Sequence, residues 1–597
     1  MFQDFTAKTD PSDGPPRLAK VRRAMADRGI DATLVPRADA HQGEYVAPCD
    51  ERLAWLTGFT GSAGFVAVTS TQAGLFVDGR YRVQGRAQAA AEFDIVPWPE
   101  TGLAAWLGER LAAGAIVGFD PWLHTTKEIE ALGKALESKG IALKPVAPII
   151  DEIWADRPTR PTALVRAHPK TLAGVGDETK RGEVAKTLAD AGHSAAVLTL
   201  PDSICWLLNI RGGDIKRIPL VQAFAILHAD ASIELFSDVE KFAELGPDPA
   251  ITLLDWSAFG TRLAALEGPV RVDPASAPFA VTDCLRTAGV EVAAAQDPCV
   301  LPKAQKNPVE LDGTRAAHLR DAAAMVEFLA WLDAEAPKGG LTEIDVVKAL
   351  EEKRRATGTL KDISFDTICG AGENGAIVHY RVTEATNAPV TPGDLLLVDS
   401  GGQYEDGTTD ITRTIAIGTP EPIHRRAFTR VLQGMIAISR ARWPAGLAGR
   451  DLDALARAPL WSEGWDYNHG TGHGVGVYLG VHEGPQNLSK RSHQALLPGM
   501  IVSNEPGYYR EGAFGIRIEN LVIVVEATAL ADADDRAHLE METLTWVPID
   551  LRLVDRDLMS AVERDWLNAY HVAVREKISP RVSETARQWL DKATAAL

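Results

Sequence analysis

DLLLVDSGGQYEDGTTDITRTIAIG (394–418) decides the architecture of the C-terminal half of this 597-residue chain. An apolar run ends at Asp399, a polar turn containing Asp406-Gly407 follows, and a β-branched run starts around Thr408. That is the pattern of a hairpin. Asp399 and Asp410 lie symmetrically about its middle, between Tyr404 and Glu405. As cross-strand partners they share one face, so both carboxylates project together. A one-residue bulge is the feature that would undo this, because it turns a side chain to the other face.

The same device returns in SNEPGYYREGAFGIRIENLVIVV (503–525), where Glu505 and Glu519 are symmetric about Gly512, the expected turn. Glu519 precedes the apolar strand Leu521 to Val525, which places it near a buried layer. Four acids converging in a partly buried place repel one another and are costly to desolvate. Arg517 alone cannot neutralise four. HGTGHGVGVYLGVHEGP (469–485) offers His469, His473 and His482 among glycines that allow close backbone approach. Carboxylates with one imidazole suit Mn²⁺, Co²⁺, Fe²⁺ or Zn²⁺ in higher coordination better than a thiolate zinc site. Four carboxylates and one histidine are enough for two ions that share bridging oxygens, the arrangement of two-metal hydrolysis. Singly these residues say little, since an Asp near a turn is usually a solvated turn residue and a lone His is usually packed or at the surface. The ordered spacing carries the reading: two Asp eleven apart, then His473, then two Glu fourteen apart.

Outward from these hairpins, the chain has ordinary globular composition, 46% apolar and 24% charged, and its length predicts several domains. A formal net charge of −19 argues against a nucleic-acid partner. MFQDFTAKTDPSDGPP (1–16) lacks the basic flank and apolar run of a signal peptide, and no stretch reaches the roughly 20 apolar residues of a membrane span. Five scattered cysteines (Cys49, Cys205, Cys284, Cys299, Cys369) form no disulfide framework and suit a reducing compartment, so a cytoplasmic location is expected. Their bland reading is as small core or loop residues.

Two proline-marked stretches, ADRPTRPTALVRAHPK (155–170) and QDPCVLPKAQKNP (296–308), read as linkers. They divide the chain into segments expected at 1–157, 158–305 and 306–597. The first two look like diverged copies of one α/β unit. Each has a helix ending in a similar tetrapeptide (Ala26-Asp27-Arg28-Gly29 and Ala189-Asp190-Ala191-Gly192), an apolar strand, and a Trp with a Gly six residues later (Trp55 and Gly61; Trp206 and Gly212). Neither copy holds a convincing ligand cluster, although Arg37, Asp39, His41 and Arg80 could reach a partner site. The third segment opens with a helix whose Leu319, Ala322, Ala323, Val326 and Leu329 share one face.

The order Asp399, Asp410, His473, Glu505, Glu519 resembles the metal set of the "pita-bread" M24 metallopeptidases. The wording of NGAIVHY (374–380), VDSGGQYEDGTTDITRT (398–414), HGTGHGVGVYLGVHEGP and EPGYYREGAFGIRIEN (505–520) is similar to the long, three-domain aminopeptidase P (Xaa-Pro aminopeptidase) family. AHQGEYVAPCD (40–50), GFTGSAG (58–64) and WLLNIRG (206–212) extend the resemblance over essentially the whole chain. One departure is Asn504, where relatives commonly carry an acid beside the ligand Glu505.

The resemblance implies an α/β and α+β chain: two related creatinase-like N-terminal domains followed by a pita-bread catalytic domain. It implies two Mn²⁺ ions, one on Asp399, Asp410 and Glu519, the other on Asp410, His473, Glu505 and Glu519, with Asp410 and Glu519 bridging. Glu505 is then the general base, and His379, His469 and His482 lie near the substrate, assisting proton transfer or stabilising the tetrahedral intermediate. His379, His482, Arg517 and Arg80 are the expected substrate contacts, although for Arg517 a counter-ion role is slightly favoured because it pairs with nearby carboxylates. The implied reaction removes any N-terminal residue that precedes proline, in a homodimer joined through the C-terminal segment. Trp465, Tyr467, Trp566 and Tyr570 could serve core or interface. Three alternatives stand beside it: a prolidase-like dipeptidase with the same metals, a metal-free creatinase-like hydrolase, and a non-enzymatic peptide-binding module of the histone-chaperone kind.

Overall fold

The computed structural model describes residues 1–7 and 9–597. The chain forms two compact units, Lys8–Lys303 and a second made of Met1–Ala7 together with Ala304–Leu597.

In the N-terminal unit, β1 (Ala32–Pro36), β2 (Phe65–Thr69), β3 (Ala73–Val77), β4 (Asp94–Pro97), β5 (Ile116–Phe119) and β6 (Ala142–Pro145) form one sheet in the order β4-β3-β2-β1-β5-β6. A second sheet of β7 (Ala195–Leu198), β8 (Phe224–His228), β9 (Ile233–Phe236), β10 (Ile251–Leu254), β11 (Val270–Val272) and β12 (Val292–Ala294) has the order β10-β9-β8-β7-β11-β12. Order and strand directions match position for position, with the first strand of each sheet antiparallel to the second and parallel to the fifth. The repeat visible in the sequence is therefore a repeat of topology. Its recurring tetrapeptide ends matching helices, α1 (Gly14–Asp27) and α2 (Asp177–Asp190). Gly29 (φ +62) and Gly192 (φ +71) each adopt the left-handed conformation that stops the helix, which an L side chain resists.

The two layers meet at matching turns before α3 (Thr126–Glu137) and α4 (Phe279–Thr287). Thr126 N donates to Ala277 O and Phe279 N to His124 O; Lys127 N donates to Pro274 O and Ala280 N to Pro121 O. Each bond has its counterpart from the other copy, so the contact is isologous, like that of a two-fold dimer.

The second proline-marked stretch is not wholly extended. Val300–Ala304 form a helical turn containing Pro302, and Pro308 opens α5 (Pro308–Glu335). Both prolines sit where first-turn N–H groups have no partner within the helix, so the missing donors cost little. The buried surface of α5 is wider than the expected stripe. Ala324, Met325 and Phe328 are buried with Ala322, Val326 and Leu329, while Leu319 and Ala323 are only half-buried. The helix is covered on several sides, by α6 (Glu343–Arg355), α7 (Ala561–Ile578) and the tip of the first hairpin.

Beyond it, β13 (Ile368–Ala371), β14 (Leu395–Ser400) and β17 (Ile411–Ala416) form one sheet, and β15 (Gly402–Tyr404) with β16 (Gly407–Thr408) make the hairpin tip. A six-stranded sheet runs β18 (Arg442–Pro444), β25 (His538–Thr543), β24 (Asn520–Glu526), β21 (Ile501–Asn504), β19 (Gly472–Gly474), β20 (Glu483–Leu488). The tip of its β21–β24 hairpin is β22 (Gly507–Arg510) paired with β23 (Phe514–Arg517). Val475, Val477, Ile501, Leu521, Ile523 and Leu544 form its core. Among the described residues, no helix is long and apolar enough to cross a membrane.

The registers of the two hairpins differ from one another. In the second, Asn504 faces Asn520 and Gly507 faces Arg517, one register centred on Gly512, so Glu505 falls opposite Glu519 as expected. In the first, Asp399 faces Thr412 and Tyr404 faces Gly407, with Glu405-Asp406 as the turn. Asp410 is thus not the direct partner of Asp399 but lies two residues nearer the tip. The offset is even, so both acids keep the same face. Its cause is Gly407, which is in a strand rather than the turn and lies against α5: an added Cβ would come within 2.9 Å of the Ala317 side chain.

Candidate metal centre

The two hairpins bring their acids together from separate sheets. Asp410, His473 and Glu519 present ligand atoms that all lie within 4.8 Å of one another. His473 Nε2 is 3.4 Å from Asp410 Oδ2 and 3.4 Å from Glu505 Oε1. Its Nδ1 donates to the Gly474 carbonyl at 3.0 Å, which turns Nε2 toward the acids. His473 reaches this place because its neighbours have no side chains. A Cβ on Gly472 would lie 1.9 Å from Ser503 O, and one on Gly474 would lie 2.2 Å from Glu483 O.

Asp399, Asp410 and Glu519 are buried, and Glu505 and His473 half-buried. Burial and the neighbouring charges of Asp410, Glu505 and Asp399 push the Glu519 carboxyl well above the usual range. Burial likewise lifts Asp410 to about 7, against a hydrogen bond from His473 that works the other way. Burial alone would depress the His473 imidazolium, but the Asp410 hydrogen bond and the Glu505 and Asp410 charges outweigh it and raise the group to about 9. Three buried oxygens, Asp399 Oδ1, Asp410 Oδ1 and Glu519 Oε1, have no hydrogen-bond partner among the described residues. Buried carboxylate oxygens are normally paired or bound to metal. An oxygen-rich set with one imidazole therefore fits divalent cations.

The hairpins are stitched to each other by exchanged partners. Arg517 of the second donates through Nη2 to Asp399 Oδ2 of the first at 2.5 Å, and through Nε to Thr412 Oγ1 at 3.1 Å. Thr412 of the first donates to Glu519 Oε2 of the second at 2.8 Å. Arg413, on the opposite face of β17, donates to Glu519 O (2.6 Å), Pro548 O and Val547 O.

Among the other expected site residues, His482 packs edge-on against His473, ring centroids 4.2 Å apart. His469 Nε2 accepts from the Tyr509 hydroxyl at 2.9 Å, and that hydroxyl accepts from Arg517 Nη1 at 2.7 Å. Asp399, Arg517, Tyr509 and His469 thus form one chain of contacts. His379 follows β13 in the loop leading to β14. Tyr509 and Thr412 were missed in the sequence. Period-two alternation from Glu505 reaches Tyr509, whereas Thr412 became visible only once the first hairpin's register was known.

Arg80, Arg37, Asp39 and His41 lie in the N-terminal unit and are engaged there. Arg80 binds Asp78 at 2.7 Å, Arg37 donates to Gly61 O, and His41 Nδ1 is 3.0 Å from Thr199 O. Asp39 accepts from His41 N, Gly43 N and Gln222 Nε2. Asn504, beside Glu505, points to the other face of β21, where its amide donates to Met435 O (2.8 Å) and Ser439 Oγ. A carboxylate has no proton to offer that carbonyl, which accounts for the amide here.

Known proteins resemble this chain along essentially its whole length. Residues 312–526 match the model of metallopeptidase family M24, and 537–597 that of the C-terminal region of peptidase_M24. Residues 17–153 and 156–310 each match the creatinase/prolidase N-terminal domain, the two layers described above. Aminopeptidase P2 of Arabidopsis thaliana is 40% identical over 96% of this chain and 87% of its own length. A probable Xaa-Pro aminopeptidase P of Coccidioides posadasii is 38% identical over 99% of this chain and 94% of its own. The X-prolyl aminopeptidase of Caenorhabditis elegans, described as a cytosolic enzyme with a di-nuclear active site, superposes with a TM-score of 0.92 at 32% identity, covering 98% of this chain and 99% of that one. With two creatinase-type N-terminal domains, an M24 catalytic domain and full-length similarity to these relatives, the chain belongs to the aminopeptidase P (Xaa-Pro aminopeptidase) family of metallopeptidases.

Proposed function

We propose that this chain is a metal-dependent aminopeptidase that hydrolyses the bond between an N-terminal residue and a penultimate proline. The observation that carries the reading is the trio of unpaired buried oxygens on Asp399, Asp410 and Glu519, gathered with His473 where the two hairpins meet. Asp399, Asp410 and Glu519 would hold one divalent ion, and Asp410, His473, Glu505 and Glu519 a second, with Mn²⁺ as the expected metal. When bound, such ions acidify water and offset the negative charge that develops during hydrolysis. Glu505, half-buried at the edge of the cluster, takes the proton of the attacking water. His379, His469 and His482 act on the substrate side, with His379 and His482 contacting the peptide. Arg517 holds Asp399 in place and extends the site toward substrate, and Arg80 is a further substrate contact.

Proline lacks an amide N–H and fixes φ, so an Xaa-Pro bond suits a dedicated pocket rather than a general peptidase cleft. We read 1–157, 158–305 and 306–597 as the three domains, with residues 1–7 of the first packed in the C-terminal unit. A cytoplasmic homodimer paired through the C-terminal domain completes the proposal. The test is a panel of Xaa-Pro dipeptides, Xaa-Pro-Xaa tripeptides and proline-free controls, assayed after chelation and after Mn²⁺ is restored. Chelation should abolish tripeptide cleavage and Mn²⁺ should recover it. Cleavage of dipeptides alone would reassign the chain as a dipeptidase, and full activity after exhaustive chelation would refute the metal mechanism.

A further inference from the structure

The loop joining β13 to β14 carries His379, and its early part packs on the second hairpin: a Cβ on Gly515 of β23, two residues before Arg517, would lie 1.7 Å from Gly375 O. Glu343, in the first turn of α6, is fully buried against this loop. Its Oε1 accepts from Ala371 N at 2.8 Å and Asn374 Nδ2 at 2.9 Å. Its Oε2 accepts from Ala388 N at 2.9 Å and lies 3.0 Å from the Tyr380 hydroxyl. These partners are neutral and come from both ends of the loop and from the residue next to His379. Such a set satisfies a buried carboxylate through dipoles, and the α6 N-terminus adds to them.

The outer side of the loop is held independently. Glu384 N donates to Phe5 O at 2.9 Å and Arg381 pairs with Asp4 at 3.1 Å. Residues 2–5 are themselves tied to the catalytic unit: Thr367 N donates to Gln3 Oε1, and Phe2 N to Glu351 Oε1 of α6. Helix α6 thus anchors the loop directly through Glu343 and indirectly through Glu351.

We propose that Glu343 is the positioning residue of His379: its carboxylate clamps the backbone at both ends of the loop and at Tyr380, so α6 sets where the imidazole stands. This rests on the substrate-side role of His379 given above. A glutamine at 343 has one oxygen and one N–H₂ group, so two of the donors would face another donor.

The test is a double-mutant cycle on the Mn²⁺-loaded full chain, with amide hydrogen exchange. Glu343→Gln should lower kcat/KM about 10- to 100-fold, as loss of an outer-shell partner does, with metal content unchanged and faster exchange at Ala371 and Ala388. In the His379→Ala background the same change should alter kcat/KM less than about twofold, since coupled residues are non-additive. Equal losses in both backgrounds, or unchanged activity despite lost protection, would overturn the proposal. If Glu343→Gln does not fold, Tyr380→Phe leaves three donors on the carboxylate and should show a smaller loss with the same dependence on His379. Should His379→Ala alone keep full activity, the reading of His379 fails, while exchange at Ala371 and Ala388 still decides whether Glu343 is the clamp.

Discussion

In the first hairpin Asp399 faces Thr412 and Asp410 lies one pleat nearer the tip; in the second Glu505 and Glu519 face each other directly. The acids also differ in company. Asp399 has the Arg517 guanidinium, Asp410 has the His473 imidazole, Glu505 accepts from Ser503 and lies 3.4 Å from His473 Nε2, and Glu519 accepts from the Thr412 hydroxyl. Each hairpin leaves one deeply buried acid, Asp410 or Glu519, whose carboxylate makes no direct ion pair with an arginine or lysine among the described residues. These two are the proposed bridging ligands. The difference teaches that the arms are not interchangeable halves: the first supplies the acid with its own cation, the second the acid that most requires metal.

The comparison breaks most severely at those two acids. Glu519→Ala or Asp410→Ala should lower kcat/KM by about a thousandfold or more, with fewer metal ions per chain by elemental analysis. Near-normal activity in either variant would mean that the convergence of the hairpins is not the reactive centre. Arg517→Met should sharpen the contrast, because it strips Asp399 of its cation. Breaking such a buried pair should cost about 3 kcal/mol or more in chelated protein. Melting curves with and without Mn²⁺ should show a larger metal-induced stabilisation than in wild type, and an equal shift would show that Arg517 and metal do not share Asp399. Thr412→Val removes the hydroxyl that links both arms and keeps its shape, so about a tenfold loss in kcat/KM is expected. A loss confined to KM would place Thr412 in substrate binding instead.

A pH-dependent effect concerns the support behind the first arm. His571 is buried beside Arg413, and its Nε2 accepts from Ile549 N. Burial, then Arg413 and Arg575, depress it from 6.5 to about 3. A depressed histidine stabilises the fold fully above its unfolded value, and that contribution is lost as pH falls from 6.5 toward 3. The chain should therefore lose up to about 1.4 kcal/mol per pH unit below 6.5 from this group. Denaturant titrations of wild type and His571→Gln should diverge in slope over that window, and parallel slopes would refute the assignment.

Much of the fold was legible because its signals are local. The repeated N-terminal tetrapeptides are helix stops, and the paired Trp and Gly positions mark two copies whose sheets have the same strand order. Four of the five candidate ligands were legible because strand periodicity keeps Glu505 with Glu519, and Asp399 with Asp410, whatever even offset the register takes. Thr412 and the wider buried surface of α5 were not, since each depends on what packs against it. Neither was the clamp on the His379 loop, because Glu343 lies 28 to 45 residues from the groups it holds.

Residues 394–418 and 503–525 by themselves determine two hairpins with two acids on one face of each, because alternation and turn placement act over a few residues. Only the tertiary structure decides that those faces meet and that the first turn falls at Glu405-Asp406. The contacts responsible, Asp399 with Arg517 and Thr412 with Glu519, join positions 118 and 107 residues apart. The placement of Gly407 against α5 likewise has no trace in the hairpin's own sequence. Local backbone preference acts on near neighbours, whereas burial and charge compensation exist only once distant segments have packed.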